Sequence, residues 1–292
     1  KSLDTAIQSS VDTTVDVFNN HIGVSGAGNT TAGLLVDTTS TVNSHNNVYH
    51  TNPLAINITA DVTFESSGDT IDNSSTAGIK INHADANPTI ANLTSANTNP
   101  IGVLITLSDT GSIQNSTFNM NGSDIGIQLA ANADKITVTK NIFDGTGADE
   151  VAIDNNDGAN TLSAPKNFFD TADGPIHDDD TTTGSGDKIQ GKVQYSPFHT
   201  TNALDDAAID YRLKVTTSAP ATVYHTYFAD ALNEADATHI NVKRNVSGDH
   251  DIDVAGLEVI CDNQDEVFSG EITISGSGVS QADPILLQNC TL

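Results

Sequence analysis

The sequence predicts an all-β protein, a right-handed parallel β-helix followed by a small antiparallel β-sandwich-like domain. Three observations support this fold class. The composition is rich in strand and turn formers, a repeat of 22 to 26 residues runs through the first half, and short alternating strands follow it. Repeats of this length without helices cannot bury an apolar face alone, so they stack as a solenoid.

Composition and charge exclude several classes of protein. The chain has 292 residues, with 11 Lys and Arg against 38 Asp and Glu, a net charge of -27 and no Trp. Good helix formers are scarce, which excludes a mainly helical fold. A nucleic-acid binder is excluded because no basic patch is present to neutralise phosphates. No run of 18 apolar residues occurs, so we expect no membrane insertion.

The repeat is a pattern of four positions: a small residue, an apolar residue, a residue of any type and a second apolar residue. Its steps are 22, 23, 24, 24 and 26 residues. The small residues are Gly33, Ala55, Gly78, Gly102, Gly126 and Ala152. Asn residues between the segments suit left-handed corners and can bond to the next coil. Phe118 and Phe143 share one repeat position, which predicts an interior aromatic stack.

A second domain is expected after the repeats. Residues 1–198 are assigned to the β-helix, with an N-terminal extension and a closing segment, and residues 199–292 to the sandwich-like domain. The segment Ile209–Thr216 alternates as a half-buried strand does. Cys261 and Cys290 indicate one disulfide, and hence an oxidising exterior, with two unrelated thiols as the alternative. The second domain is alternatively only a cap on the open end of the β-helix.

Two segments resemble the closing part of a known family. They are 167–175, Asn-Phe-Phe-Asp-Thr-Ala-Asp-Gly-Pro, and 186–198, Gly-Asp-Lys-Ile-Gln-Gly-Lys-Val-Gln-Tyr-Ser-Pro-Phe. They are similar to pectin-lyase-like right-handed β-helix proteins of prokaryotic surfaces. In that family Trp residues usually stand where this chain has Phe168, Phe169 and Phe198. The resemblance covers roughly residues 10 to 200 and implies the fold, whereas the family includes both enzymes and structural proteins.

Catalytic residues are not apparent, and we assign none. A polysaccharide lyase needs a basic residue near the substrate carboxylate, but Arg212 and Arg244 both lie outside the repeats. A hydrolase needs paired carboxylates across a groove, and Asp154 with Asp157 is one candidate pair. The other candidate is His177 with the three following Asp residues, which we interpret as a solvated turn.

A calcium site is the only cofactor site that the sequence suggests. Asp249, Asp251 and Asp253 alternate, so on a strand they share one face and repel each other in the absence of a cation. A second, weaker group comprises Asp262, Asp265 and Glu266.

Eight sequons mark candidate N-glycosylation sites, a number close to what this composition gives by chance. The acceptors are Asn29, Asn57, Asn73, Asn92, Asn115, Asn121, Asn245 and Asn289.

These features predict a non-enzymatic, secreted structural subunit of an extracellular or cell-surface assembly, such as a fibre, surface layer or adhesin. The start at Lys1 fits a processed chain or a fragment. Expected partners are copies of the chain itself and cell-surface glycans. Strand addition would use the N-terminal segment. Its candidate residues are Ser2, Leu3, Ala6, Ile7, Val11, Val15 and Val17. The alternatives are a Ca²⁺-dependent polysaccharide lyase or hydrolase, and a trimeric viral receptor-binding spike.

Overall fold

The computed structural model describes most of the chain. The described residues are 5–9, 14–23, 31–50, 53–96, 99–108, 110–122, 124–146, 149–177, 184–218, 221–262, 267–275 and 284–292. Within them, no helix has the length and apolar character needed to cross a membrane.

Short strands dominate the first region. In chain order they are β1 (Thr5–Ser9), β2 (Thr14–Phe18), β3 (His21–Ile22), β4 (Ala32–Val36), β5 (Ser40–His45), β6 (Val48–His50), β7 (Leu54–Ile58), β8 (Val62–Ser67), β9 (Thr70–Asp72), β10 (Ala77–Asn82), β11 (Asn87–Ala91), β12 (Thr94–Ser95), β13 (Ile101–Leu107), β14 (Gly111–Gln114), β15 (Thr117–Asn119), β16 (Ile125–Leu129), β17 (Ile136–Thr139), β18 (Ile142–Asp144), β19 (Val151–Asn155), β20 (Leu162–Ser163), β21 (Phe168–Phe169), β22 (Ile176–His177), β23 (Lys188–Gln190), β24 (Val193–Gln194) and β25 (Phe198–His199). A 3₁₀ turn spans Ala133–Lys135.

These strands form a parallel β-helix with three sheets. Sheet A has the order β1-β4-β7-β10-β13-β16-β19-β23-β22, sheet B the order β2-β5-β8-β11-β14-β17-β20-β24, and sheet C the order β21-β18-β15-β12-β9-β6-β3. Each coil contributes one strand to each sheet, and the pairing is parallel throughout. The predicted all-β solenoid is therefore confirmed.

The apolar positions of the repeat align into an interior ladder along sheet A. Leu34 pairs with Ile56, Ile56 with Ile79 and Ile79 with Val103. The ladder continues through three further coils. Its members there are Ile127, Ile153 and Ile189. All seven side chains are fully buried, so each coil contributes one rung of the core and depends on its neighbours for burial.

The small residue of each repeat sits where sheet A faces sheet C. A Cβ at Gly102 would lie 2.6 Å from the Gly126 carbonyl oxygen and 2.6 Å from the Phe118 ring. At Gly126 the same clash would involve the Ala152 carbonyl oxygen and the Phe143 ring. The repeat thus requires a small residue because a neighbouring coil and an aromatic ladder both approach this point.

Sheet C supplies that aromatic ladder. The rings of Phe118 and Phe143 are stacked 5.3 Å apart, and those of Phe143 and Phe169 are 5.4 Å apart. All three rings lie in the core. The predicted interior stack of Phe118 and Phe143 is therefore confirmed and extends by one coil.

The same two-residue arrangement recurs at the corners between sheets B and C. The first residue adopts the left-handed conformation, as Asn115 does at φ 51°. The residue after it points inward, and at Asn141 it links three coils. Asn141 Oδ1 accepts from the Ser116 amide at 3.0 Å, Nδ2 donates to the Ile113 carbonyl at 3.0 Å, and the Asn141 amide donates to Asn167 Oδ1 at 2.8 Å.

We expect Asn141→Ala to lower the free energy of unfolding by about 2–4 kcal/mol, because it leaves a buried amide and a buried carbonyl without partners. Denaturant titration followed by circular dichroism measures this loss. Asn43→Ala is the control, since Asn43 Nδ2 bonds Asp16 on the exterior. Equal losses of stability in the two variants would contradict the structural role of Asn141 at its corner.

The C-terminal region has its own strands and one short helix. They are β26 (Ile209–Asp210), β27 (Leu213–Thr217), β28 (Thr222–His225), α1 (Phe228–Leu232), β29 (Ala237–Val242), β30 (Val246–Ser247), β31 (His250–Ile252), β32 (Glu258–Cys261), β33 (Phe268–Ser269), β34 (Ile272–Ile274) and β35 (Leu286–Gln288). β26 pairs with β25. The main sheet has the order β28-β27-β29-β32-β35, and a separate apolar core fills this region.

The predicted C-terminal sheet region is present, but its pairing differs from the antiparallel sandwich expected. Only β27 pairs antiparallel with β28 and β29 within the main sheet. The pairs β29–β32, β32–β35, β30–β33 and β31–β34 are parallel. Register steps of 22 residues, such as Val246 to Phe268, show that the chain resumes coiling here. A sequence of short strands separated by turn residues fits parallel coils and antiparallel hairpins equally well, because both need the same turn residues.

The last coil of the β-helix and the C-terminal region meet through Thr226 and Tyr227, the two residues that follow β28. The amides of Tyr195 and Ser196 donate to Thr226 Oγ1 at 2.9 and 3.0 Å, and the Thr226 amide donates to Gln194 Oε1 at 2.9 Å. The Val193 amide donates to Tyr227 Oη at 2.8 Å. These bonds cover backbone at the last coil of the first stack, as expected of a cap.

Candidate functional site

The described residues of the predicted self-assembly segment lie in β1 and β2, in the first coil of the β-helix. Ile7 on β1 and Val15 on β2 pack partly buried against the core, and Val17 is buried within it. The backbone of Ala6 lies in β1. The remaining candidates lie outside the described residues. They are Ser2, Leu3 and Val11. The described apolar side chains thus serve the chain's own core, and what β1 and β2 offer a partner is their backbone edge.

Exposed large apolar side chains concentrate at the two ends of the molecule. Phe18, at the end of β2 in the first coil, is 59% exposed. At the C-terminal end of the second stack, Ile274 in β34 is 50%, Leu286 in β35 39% and Leu292 75% exposed. Leu107, in the middle of the stack, is 40% exposed. In the described part of the chain, these five residues are the exposed large apolar side chains. Sequence reasoning missed these residues, because burial at an end coil depends on which coils exist beside it.

Asp249, Asp251 and Asp253, the residues of the predicted calcium site, are described by the structure, and the site stays a prediction. Only Asp251 lies within a strand. Asp249 Oδ1 accepts from the Glu271 amide at 2.9 Å, and the Asp251 carboxylate accepts from Ser275 Oγ at 2.6 Å. Among the described residues, no three His, Cys, Asp or Glu side chains form a group that could hold a metal ion. Of the second acidic group, Asp265 and Glu266 lie outside the described residues.

Five of the predicted glycosylation acceptors are exposed. They are Asn73, Asn92, Asn115, Asn121 and Asn289. Asn57 and Asn245 are partly buried, and Asn245 Oδ1 accepts from the Val267 amide at 2.8 Å. Asn29 lies outside the described residues. Exposure makes the first five possible acceptors, and whether any carries a glycan stays a prediction.

The two cysteines are joined as the cysteine count indicates. Cys261 at the end of β32 and Cys290 form a disulfide with a Cα–Cα distance of 5.2 Å. The bond ties the segment after β35 to the preceding coil, so it stabilises the last coil of the second stack.

The candidate hydrolase residues are occupied by structural contacts. Asp154 Oδ2 accepts from Gln128 Nε2 at 2.7 Å, and Asp157 Oδ2 accepts from the Ala133 amide at 3.1 Å. The interpretation of His177 as part of a solvated turn is wrong. His177 lies in β22, is buried, and packs against the Tyr195 ring. The three Asp residues after it lie outside the described residues.

An acidic cluster lies where sheet C turns into sheet A. In sheet C, Asp144 ends β18 and Asp170 follows β21 on the next coil. In sheet A, three acids directly precede β16, β19 and β23 and occupy equivalent positions of consecutive coils. These three are Asp124, Glu150 and Asp187. We call the five residues the acidic cluster.

The two inner members of the acidic cluster are buried. Glu150 is 1% exposed and Asp187 3% exposed. Glu150 Oε1 accepts from the amides of Gly122 at 3.0 Å and Thr146 at 3.3 Å. Asp187 Oδ1 lies so close to Gly145 that a Cβ there would overlap it. The other oxygens, Glu150 Oε2 and Asp187 Oδ2, are buried without a hydrogen-bond partner in the described part of the chain.

The electrostatics of the acidic cluster reflect burial and mutual repulsion. Burial, reinforced by the charges of Asp170, Glu150 and Asp144, raises the pKa of Asp187 to about 7. Burial and the same repulsion raise the pKa of Asp170, and burial raises that of Asp124. Burial also acts to raise the pKa of Glu150, but hydrogen bonds from its own backbone, Thr146 and Gly122 outweigh this effect and lower it.

Sequence reasoning missed the acidic cluster because its members are not neighbours in sequence. A signal was nonetheless available: once repeats are aligned on their strands, an acid precedes the sheet A strand in three consecutive coils. The third copy was hidden because the repeat that ends at β23 is longer in sequence than those before it.

Comparison with known families identifies the fold. Residues 32–177 match the family described as the right handed beta helix region. This match covers half of the chain, so the chain belongs to that family. No curated protein and no solved structure shows a significant match. The β-helix fold is compatible with a surface protein and with a polysaccharide-acting enzyme, so the fold alone does not determine the function.

Proposed function

We propose that this protein is a secreted structural subunit of an extracellular surface assembly, of the kind found on prokaryotic cells, and that copies join end to end. The single observation that carries the proposal is the placement of exposed apolar side chains: Phe18 on the first coil, and Ile274, Leu286 and Leu292 at the C-terminal end of the second stack. Such side chains at both ends of a stack are typical of a surface that another copy covers.

The strand edges support the same proposal. In the described part of the chain, β1, β2 and β3 end sheets A, B and C at the first coil, and β35 is one of the two terminal strands of the C-terminal sheet. A terminal strand presents unpaired N–H and C=O groups that another strand can bond. The first and last coils differ, so contact between them is heterologous, and repetition of that contact along the axis of the stack generates an open filament.

Two single-end variants test this arrangement. We expect Phe18→Lys and Ile274→Lys each to keep the protein monomeric at concentrations where the wild type assembles, because each places a charge in the contact. Sedimentation velocity in 0.15–0.5 M salt measures the mass, with salt present to screen the net charge. A mixture of the two variants should form a dimer, since each supplies the intact end that the other lacks.

Leu107→Lys is the matched control, because Leu107 is exposed in the middle of the stack. It should assemble as the wild type does. Failure of the mixed variants to pair, or equal loss of assembly in Leu107→Lys, would rule out end-to-end contact. A closed trimer would favour the receptor-binding spike. Unsaturated products at 235 nm from uronate polymers with Ca²⁺ would favour a lyase, and new reducing ends a hydrolase.

A further inference from the structure

We propose that the acidic cluster binds a hard divalent cation of the Ca²⁺ class, coordinated directly by Glu150 and Asp187. Asp144 and Asp170 assist from the neighbouring sheet through bound water. The site differs in position and in residues from the three Asp residues of the C-terminal region that the sequence suggests.

Two buried carboxylate oxygens mark the proposed site. Glu150 Oε2 and Asp187 Oδ2 are buried without a hydrogen-bond partner in the described part of the chain. A buried carboxylate oxygen without a partner is costly, and either a proton or a cation relieves that cost. The other oxygens of both side chains already accept backbone hydrogen bonds or contact Gly145 closely. The unsatisfied positions are therefore specific atoms rather than whole mobile side chains.

The spacing of the coils suits a bridging ion. Glu150 and Asp187 precede the paired strands β19 and β23, so they occupy equivalent positions on adjacent coils. Adjacent parallel strands are about 4.8 Å apart. Two oxygens that bind one Ca²⁺ at about 2.3–2.6 Å each can be separated by up to about 5 Å. One ion thus reaches both side chains without either coil moving far.

The charge around the site favours a cation. Lys188, in the coil of Asp187, directs its Nζ to Asp149, 3.4 Å away on the exterior. In the described part of the chain, the ion pairs of Lys, Arg and His involve none of the five carboxylates of the cluster. The net charge of -27 adds an attractive field for cations.

Water completes the coordination. Since no three His, Cys, Asp or Glu side chains among the described residues are placed to hold one ion together, the protein supplies two carboxylates and the ion keeps water ligands, as hard cations readily do. A depression of about 300 Å³ lies beside the cluster, lined in part by Asp144 and Thr146. Thr146 Oγ1 lies 3.3 Å from Glu150 Oε1, so the depression gives solvent a route to the site.

Calorimetric titration of the full chain, stripped of metal with EDTA, tests the proposal. We expect Ca²⁺ at pH 8 to bind at one site per chain with a Kd below about 1 mM. Asp187→Asn should weaken this binding at least about tenfold, because it removes one ligand oxygen and its charge. At pH 5.5 wild-type binding should also weaken at least about tenfold, since a proton competes for the same oxygen. Mg²⁺ is the comparison ion.

Asp85→Asn is the matched control, because Asp85 is an exposed acid outside the cluster, and it should bind Ca²⁺ as the wild type does. Circular dichroism of Asp187→Asn should match that of the wild type, so that loss of binding reports the site rather than unfolding. Absence of saturable binding at pH 8 would overturn the proposal and leave a proton as the occupant. Equal binding by wild type and Asp187→Asn, for either ion, would overturn it as well.

Discussion

Replacing Gly102 with Val is expected to lower the free energy of unfolding by at least about 3 kcal/mol, enough to unfold a large fraction of a marginally stable protein. A Cβ at Gly102 meets both the Gly126 carbonyl oxygen and the Phe118 ring at 2.6 Å. Neither can move alone, because the oxygen belongs to the next coil and the ring is stacked on Phe143. Overpacking of this kind forces the backbone to shift.

Thermal and denaturant unfolding of Gly102→Val measure the loss. Gly158→Ala is the control, because a Cβ at Gly158 meets nothing within 4 Å, and it should change stability by no more than about 0.5 kcal/mol. Similar stability of wild type and Gly102→Val would contradict the register in which sheets A and C approach each other.

The second large expected effect is the contribution of Asp187 to the pH dependence of the free energy of unfolding. The pKa of Asp187 is about 7 in the folded chain, against 3.8 for the ordinary side chain. The folded protein therefore holds a proton that the unfolded chain releases between these two values, so stability should fall as pH rises from about 4 to about 7. A shift of this size corresponds to about 4 kcal/mol as an order of magnitude.

We expect Asp187→Asn to remove most of this fall and to be more stable than the wild type at pH 8 in EDTA. The amide keeps an oxygen for the contact with Gly145, and its N–H₂ lies where the unpaired oxygen was. Denaturant titration from pH 4 to pH 8 measures the effect. The charged groups facing Asp187 are Asp170, Glu150 and Asp144. A wild-type profile parallel to that of Asp187→Asn would show that Asp187 titrates normally.

The solenoid was predictable because its determinants are local and periodic. A small residue followed by alternating apolar residues recurs at nearly constant steps, and the structure uses each of these positions in the same way. The aromatic stack followed from the same periodicity, since Phe118 and Phe143 occupy one position of the repeat.

The parallel pairing in the C-terminal region was not predictable from the strands alone. A strand such as β32 bonds to β29 in parallel, and its alternation would be the same against an antiparallel neighbour. Which neighbour it takes depends on the path of the chain between them. Without a repeated small residue, as at Gly102 in the first stack, the sequence of this region carries no register signal.

The candidate sites depended on position in the stack more than on residue type. Alternating Asp residues suggested a calcium site at Asp251, yet its carboxylate bonds Ser275 on the next coil. Glu150 precedes β19 and Asp187 precedes β23, with three further strands between β19 and β23 in sequence, and only the coiling brings the two residues to equivalent positions. Phe18 and Ile274 are exposed because they lie on end coils, which the local sequence does not encode.

Electron cryomicroscopy of the untagged protein, concentrated in 0.15 M salt with Ca²⁺, tests end-to-end assembly most directly. Our account predicts filaments of one chain width whose maps show the first coil of one copy against the last coil of the next, with Phe18 and Ile274 at the junction. Dispersed single particles at every concentration, or contacts through the flanks of the β-helix that leave Phe18 and Ile274 in solvent, would contradict it.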